Sequence, residues 1–381
     1  MNNEELEKII AEFDDDFEKK EYDKIITRAK DLLKVNPKEA DLYFYMARAQ
    51  HALKNPKAAI GHFTTAINLN NQYQKAYANR GLVYIKEGML QEALNDLNIA
   101  IKLNENDCIA WNNRGLARCE LRDYEGACED YSKSISLYPK WNVPYNNRGY
   151  AAYKMKNYTL AIKDFTKSIE LKPDDSYVYY YRGLARSCAK DYPGAIADYK
   201  KSLELNPRQS ATYNNLGKIR ADLKDYEGAV EAYTKAINLD PGWTVVYNNR
   251  GKVRSMMGDV NGALADYDKA ISLNNKDINA YSNRAYIRYG LGNYDDAISD
   301  CNKIIKLFPN NSLALCVRGL CYQAKGQLRS ALSDLKQAAQ FSPNDEKLLD
   351  AVEMLENAIE EQKNNPDGEN LFSDKNNIFK I

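Results

Sequence analysis

Arg80, Arg114, Arg148, Arg182, Arg250, Arg284 and Arg318 are each followed, sixteen residues later, by an aspartate: Asp96, Asp130, Asp164, Asp198, Asp266, Asp300 and Asp334. A guanidinium and a carboxylate at such a fixed interval can form a partly buried ion pair when the chain folds back on itself. Immediately before the arginine position stands a row of amides: Asn79, Asn113, Asn147, Asn215, Asn249 and Asn283. Asparagine is a weak helix former, and its carboxamide offers both an acceptor and donors. Such a row can satisfy the C=O and N–H groups of an extended chain without reading its side chains. Asn112, Asn146, Asn214 and Asn248, one residue earlier, widen the polar strip. The row breaks once, at Tyr181, and Tyr150, Tyr153, Tyr177 and Tyr180 share the helical face around that break. Clustered aromatics are anchors because they bury a large area with few rotatable bonds. Lys218 and Lys252 stand one helical step beyond Asn215 and Asn249, where they can hold an acidic group of a partner.

Other chemistries are missing from the sequence. It has two histidines, His51 and His62, and lacks nucleophile-elbow, zinc-helix, P-loop and dinucleotide-binding motifs. No His/Cys set has metal spacing, so neither a metal nor a cofactor is expected. The seven cysteines form no CxxC pair, and an odd number fits reduced, buried thiols better than a disulfide framework. Cys128 and Cys301 in particular read as substitutes for apolar core residues. Lysine plus arginine and aspartate plus glutamate both number 53, which removes the basic surplus of a general nucleic-acid binder. No window approaches 18 uncharged apolar residues, and the first residues are acidic, unlike a signal peptide. The expectation is a soluble, cytoplasmic chain without membrane insertion.

The elements that position these residues follow from a period of 34. Glycine falls at Gly81, Gly115, Gly149, Gly183, Gly217, Gly251 and Gly319, with Ala47 and Ala285 completing the series, and twelve residues after each stands an alanine. With position 1 at residues 40, 74, 108, 142, 176, 210, 244, 278 and 312, position 4 is aromatic in eight units, position 17 is mostly Tyr, position 24 mostly aromatic and position 32 often Pro. Each unit holds two amphipathic stretches of about 14 residues. One such pair cannot bury its own apolar face, so neighbours must stack. The two units without the arginine change both partners together: Leu216 goes with Ala232 and Met46 with His62. That covariation favours an Arg–Asp bridge within each unit over one between neighbours.

Segments such as Tyr213-Asn-Asn-Leu-Gly and Tyr281-Ser-Asn-Arg-Ala make the chain resemble the tetratricopeptide repeat family, whose signature is an aromatic at 4, Gly at 8, Ala at 20, Phe at 24 and Pro at 32. The resemblance implies an all-α, right-handed superhelical solenoid of antiparallel helix pairs, about ten repeats and a C-terminal capping helix. Residues 1–39 read as a degenerate acidic repeat with Tyr22 and Pro37 in register, 40–345 as nine contiguous units, 346–363 as the capping helix and 364–381 as a flexible tail. The cap carries Leu348, Leu349, Val352, Leu355 and Ile359 on one stripe. Leu371-Phe372 and Ile378-Phe379 with Ile381 give the tail isolated apolar clusters, suited to docking on a partner or in the chain's own groove.

By the same resemblance the first helix of each pair lines a concave face, with positions 2, 5, 6, 9, 12 and 13 pointing into it. The asparagine row is similar to the ladders with which members of this family hold an extended backbone. The implied function is a non-catalytic scaffold or adaptor that captures an extended segment of a partner protein along that ladder, anchored near Tyr150 to Tyr181. The alternative is a structural subunit of a large assembly gripped by its convex and end surfaces. The two-carboxylate clamp for chaperone tails is not matched, because position 5 is never Lys, position 9 never Asn and position 6 never Arg. RNA binding lacks the stacking residues expected of helical-repeat readers. Residues 1–39 hold 12 acids and 8 bases, residues 346–381 hold 9 and 4, and the repeats between hold 32 acids and 41 bases. The neutral total therefore covers a mildly basic solenoid with acidic ends, which favours an acidic partner segment.

Overall fold

The computed structural model describes residues 3–364, and every regular element among them is a helix. The tail clusters Leu371-Phe372 and Ile378-Phe379 with Ile381 lie outside the described residues. The chain divides into two compact units, Met1–Asn206 and Pro207–Ile381. Unit 1 holds α1 (Asn3–Glu18), α2 (Tyr22–Leu33), α3 (Ala40–Ala52), α4 (Pro56–Leu69), α5 (Gln74–Lys86), α6 (Leu90–Leu103), α7 (Cys108–Glu120), α8 (Tyr124–Leu137), α9 (Asn142–Lys154), α10 (Tyr158–Leu171), α11 (Ser176–Cys188) and α12 (Tyr192–Leu205). Unit 2 holds α13 (Ser210–Asp222), α14 (Tyr226–Leu239), α15 (Thr244–Met256), α16 (Val260–Leu273), α17 (Ile278–Gly290), α18 (Tyr294–Leu307), α19 (Ser312–Ala324), α20 (Leu328–Phe341) and α21 (Glu346–Asn364). None of these helices is long and apolar enough to cross a membrane.

Adjacent helices pair, as in tetratricopeptide-type solenoids, and small residues set how closely. All nine alanines at position 20, from Ala59 to Ala331, are completely buried. A Cβ added to Gly115 or Gly183 would lie 2.6 Å from the ring of Tyr131 or Tyr199, the position-24 residue of the same repeat. The glycine thus makes the seat for that ring, and burial of a ring of this size contributes about 2 kcal/mol or more per repeat. Within each unit consecutive first helices touch (α5 with α7, α7 with α9, α13 with α15, α15 with α17), whereas consecutive second helices do not. The first helices therefore sit on the inside of each unit's curve and share one continuous face.

The turn between the paired helices has one recurring strained residue. Position 15 takes a left-handed backbone at Lys54, Arg122, Lys156, Lys190 and Lys224, with φ from 61° to 65°, and at Gly88, Gly258, Gly292 and Gly326. Lys20, at the same place in the N-terminal pair, has φ 61°. A side chain there crowds the next carbonyl, and glycine removes the crowding. Lys190→Gly is expected to stabilise unit 1 by about 1 kcal/mol, seen as a higher midpoint in denaturant, whereas Gly258→Ala should lower the midpoint of unit 2. After this turn Asp123, Asp191, Asp225 and Asp259 cap the second helix by accepting from the backbone N–H three residues on, at 2.9–3.0 Å.

All seven Arg–Asp pairs lie within their own repeats. Arg148 donates from Nε and Nη2 to the two oxygens of Asp164 at 2.7 and 2.8 Å, and the other six pairs repeat that fork. The aspartates are between 1% and 5% exposed. Each arginine also reaches back sixteen residues with Nη1, to Thr64, Asn98, Ser132, Thr166, Thr234, Asp268 or Asn302 on the preceding repeat's second helix. One side chain thus ties three helices. Five of these guanidinium groups also lie over the position-4 ring, most closely Arg114 over Trp111 at 4.6 Å.

Two side-chain expectations need correction. The cysteines are all free, but only Cys301, Cys316 and Cys321 are buried; Cys108, Cys119 and Cys128 are half-buried and Cys188 is exposed at the end of α11. In α21, Leu348 and Leu355 are buried, whereas Leu349 is 45% exposed because the stripe facing α20 is narrower than the apolar pattern.

Candidate functional site

The asparagine row lies along the first helices, at different depths. In unit 1, Asn147 Nδ2 donates to Asn112 Oδ1 at 3.0 Å, and Asn112 in turn donates to Asn113 at 3.4 Å. Asn113 is only 5% exposed, so it supports its neighbours from beneath. Asn79, half-buried, turns its amide onto the Lys75 carbonyl of its own helix at 2.8 Å. Unit 2 repeats the arrangement of unit 1: Asn249 Nδ2 donates to Asn214 Oδ1 at 3.0 Å. The position-5 asparagines thus orient the position-6 rungs. Asn248 donates to Asp277 at 2.7 Å, and its own Oδ1 is buried without a partner. Asn215 is half-buried and bonded, and Asn283 is half-buried against the cavity described below. A rung such as Asn147 or Asn249, held through one N–H, keeps its second N–H and its carbonyl oxygen for a further partner.

The tyrosines around the break divide into packed and open members. Tyr181 stands edge-on to Tyr150 at 5.3 Å and to Tyr180 at 5.2 Å and stacks on Phe165 at 6.2 Å. Lys154 lies over the Tyr150 ring at 5.2 Å. Tyr153 packs against Tyr158 at 6.0 Å, and burial, followed by the charge of nearby Cys188, pushes its hydroxyl up to about 12. Burial likewise raises Tyr181 above the ordinary phenol range. These hydroxyls stay neutral donors at working pH. Tyr177, 61% exposed, is the open member of the set. Between them α9 and α11 present a ring-lined shelf beside Asn147, all within unit 1.

A second feature lies in unit 2. A cavity of about 330 Å³ opens among α15, α17 and α19, walled by Met256, Tyr286, Leu313 and Val317, floored by Cys301 and Ile304, with Lys252, Ser282 and Asn283 among the polar groups that line it. It exists because position 24 of this repeat is Cys301, where the two preceding repeats of the unit bury Tyr233 and Tyr267. Ala285 stands in the glycine place above Cys301 and fills only part of the space. Burial pushes the Cys301 thiol up to about 12, with the neighbouring Cys321 adding to the effect, so it is an apolar wall and not a nucleophile. Lys252 and Lys218 are exposed and make no ion pair among the described residues. The signal for this cavity was present as the joint change to Ala285, Cys301 and Val317; Cys301 alone reads as ordinary core.

Profiles of the tetratricopeptide repeat match residues 74–107, 108–141, 144–175, 176–209, 210–242 and 278–311, and a further TPR-repeat profile matches 254–292. No curated protein sequence matches the chain. Among solved structures, the C-terminal part of a TPR repeat-containing protein from Cytophaga hutchinsonii is 20% identical, with a TM-score of 0.55 over 63% of this chain and 98% of its own. Yeast Tom70 is 17% identical over 96% of this chain and 98% of its own, with a TM-score of 0.44. YrrB, described as a TPR protein with an unusual peptide-binding site, is 21% identical over 48% of this chain and 95% of its own, with a TM-score of 0.44. At 20% identity the likeness to the Cytophaga structure is one of fold.

Proposed function

Because the chain belongs to the tetratricopeptide repeat family, we propose that it is a non-catalytic protein-interaction scaffold whose first-helix faces hold an extended segment of a partner protein. The observation that carries this reading is the oriented amide: Asn147 on Asn112 and Asn249 on Asn214, each at 3.0 Å, each with a carbonyl oxygen and an N–H left over. An extended backbone offers complementary groups at every residue, whereas a folded partner surface has satisfied most of its own. Tyr177, beside the packed rings of Tyr150, Tyr153, Tyr180 and Tyr181, supplies the apolar anchor in unit 1. The excess of 41 bases over 32 acids in the repeats favours an acidic segment.

The test is Asn147→Ala with Asn215→Ala and Asn249→Ala. With each lost hydrogen bond contributing about 0.5–1.5 kcal/mol, three should weaken capture at least roughly tenfold. Affinity recovery of partners followed by mass spectrometry, wild type against the triple variant, reads that loss. Unchanged recovery would instead support the alternative, a structural subunit held by the second helices and the ends.

A further inference from the structure

The three most exposed large apolar side chains described in unit 2 are Tyr286 at 62%, Leu313 at 59% and Met256 at 54%, and all three border one opening. They come from three successive repeats, so the stacking itself brings them together. Beneath them lies the cavity left by Cys301, at about 330 Å³ large enough to fall within the usual range of ligand pockets. Scattered exposed apolar residues need no explanation, but a rim of them around an apolar hole marks a binding site. The same mouth carries Lys252, an exposed cation with no carboxylate partner among the described residues, together with the amide of Asn283 and the hydroxyl of Ser282. A site with apolar walls, one free cation and neutral polar groups selects its ligand by shape and by charge.

We infer that this cavity receives one bulky apolar side chain, aromatic or long aliphatic, of an acidic partner segment, with a neighbouring carboxylate of that segment held by Lys252. The inference rests on the reading of the first-helix face as the partner's surface, and adds to it a residue preference. The ring that Tyr233 and Tyr267 supply from within their own repeats is supplied here by the partner. Charge complementarity sets the sign: Lys252, on α15 at the mouth, presents a positive charge with no ion-pair partner among the described residues. A basic segment would be repelled, and an acidic segment without a bulky residue would leave the apolar walls wet.

The probe is a fluorescein-labelled, end-blocked heptapeptide with phenylalanine at its centre, two glutamates on each side and a glycine at each end, titrated with the full chain by fluorescence anisotropy. Saturable binding is expected, weakened at least tenfold when alanine replaces the phenylalanine and abolished when lysines replace the glutamates. Lys252→Glu, at an exposed position, should weaken the parent probe at least tenfold and leave the melting curve unchanged. Ala285→Gly with Cys301→Tyr rebuilds the Gly251/Tyr267 arrangement inside this repeat, fills the cavity and should remove binding. No binding by the parent probe, or equal binding by the Lys252→Glu variant, overturns the inference. So does a peptide of residues 365–381 that competes at a tenfold lower concentration than unlabelled probe, because the occupant would then be the chain's own terminus. Asn147, Asn215 and Asn249 do not line this cavity. Failure of the probe therefore overturns the pocket alone, and unchanged partner recovery by the ladder variant overturns the ladder alone.

Discussion

Replacing Arg148 with leucine is expected to cost roughly 3–5 kcal/mol of the stability of the α9–α10 pair, and adding Asp164→Ala is expected to restore most of that loss. The asymmetry comes from the carboxylate left behind. Asp164 is 1% exposed and takes both of its charge-assisted bonds from Arg148, at 2.7 and 2.8 Å. Without the guanidinium it is a buried anion with no cation, whereas the double variant removes both charges. Unit 2 contains a natural version of that double change in Leu216 and Ala232, both buried, at 5% and 2%. Arg182→Leu should cost less, because Asp198 keeps a second cation in Arg186, whose Nη1 donates at 2.9 Å. Native-state hydrogen exchange in α9 to α12 resolves the three variants, since a solenoid loses stability locally. Equal losses for the single and double changes at 148 would refute the stranded-charge account.

That pairing was legible because both partners recur as fixed residue types at a fixed interval, and the two exceptions change together. The third contact was not. The groups that receive each arginine's Nη1 are Thr64, Asn98, Ser132, Thr166, Thr234, Asp268 and Asn302, alike only in offering an oxygen. A requirement met by four residue types leaves no visible row. The second cations Arg186, Arg254 and Arg288 leave no clear signal either, since in an amphipathic helix they look like surface charge until the fold brings them within 2.9 Å of a buried aspartate.

The site was legible as a row but not as a depth profile. Asn113, Asn147 and Asn79 share a position in the repeat, yet the first is buried beneath its neighbours, the second is held by Asn112 and the third folds onto its own helix. Depth depends on the neighbouring repeat's side chains, which single-position periodicity does not encode. The cavity in unit 2 depends on three substitutions in two repeats that matter only together. Helix pairing survives such changes because it depends on the nine buried alanines and on the space reserved at position 8.

That reserved space gives the second large effect. Gly183→Ala is expected to destabilise the α11–α12 pair by about 1–3 kcal/mol, although alanine is the better helix former by about 1 kcal/mol. The added methyl would lie 2.6 and 2.8 Å from two carbons of the Tyr199 ring, and that ring is 1% exposed. A ring enclosed on all sides cannot retreat by the near-ångström required, so the helices must separate or the ring must leave its rotamer. Position 8 is alanine twice in the chain: Ala285 goes with Cys301, a side chain small enough to leave room, whereas Ala47 goes with the buried ring of Phe63, so a methyl and a ring coexist only where the helix crossing is built around both. Gly183→Ala should therefore be relieved by Tyr199→Cys. Tyr199→Cys alone should be costly, at roughly 3 kcal/mol or more for the ring it removes, and the double variant should lose less than the sum of the two by about 1 kcal/mol or more. Denaturant unfolding of the four members of this cycle measures that coupling. Strict additivity would mean that the methyl is accommodated without touching the ring, and the close helix crossing would then need another cause than the glycine at position 8.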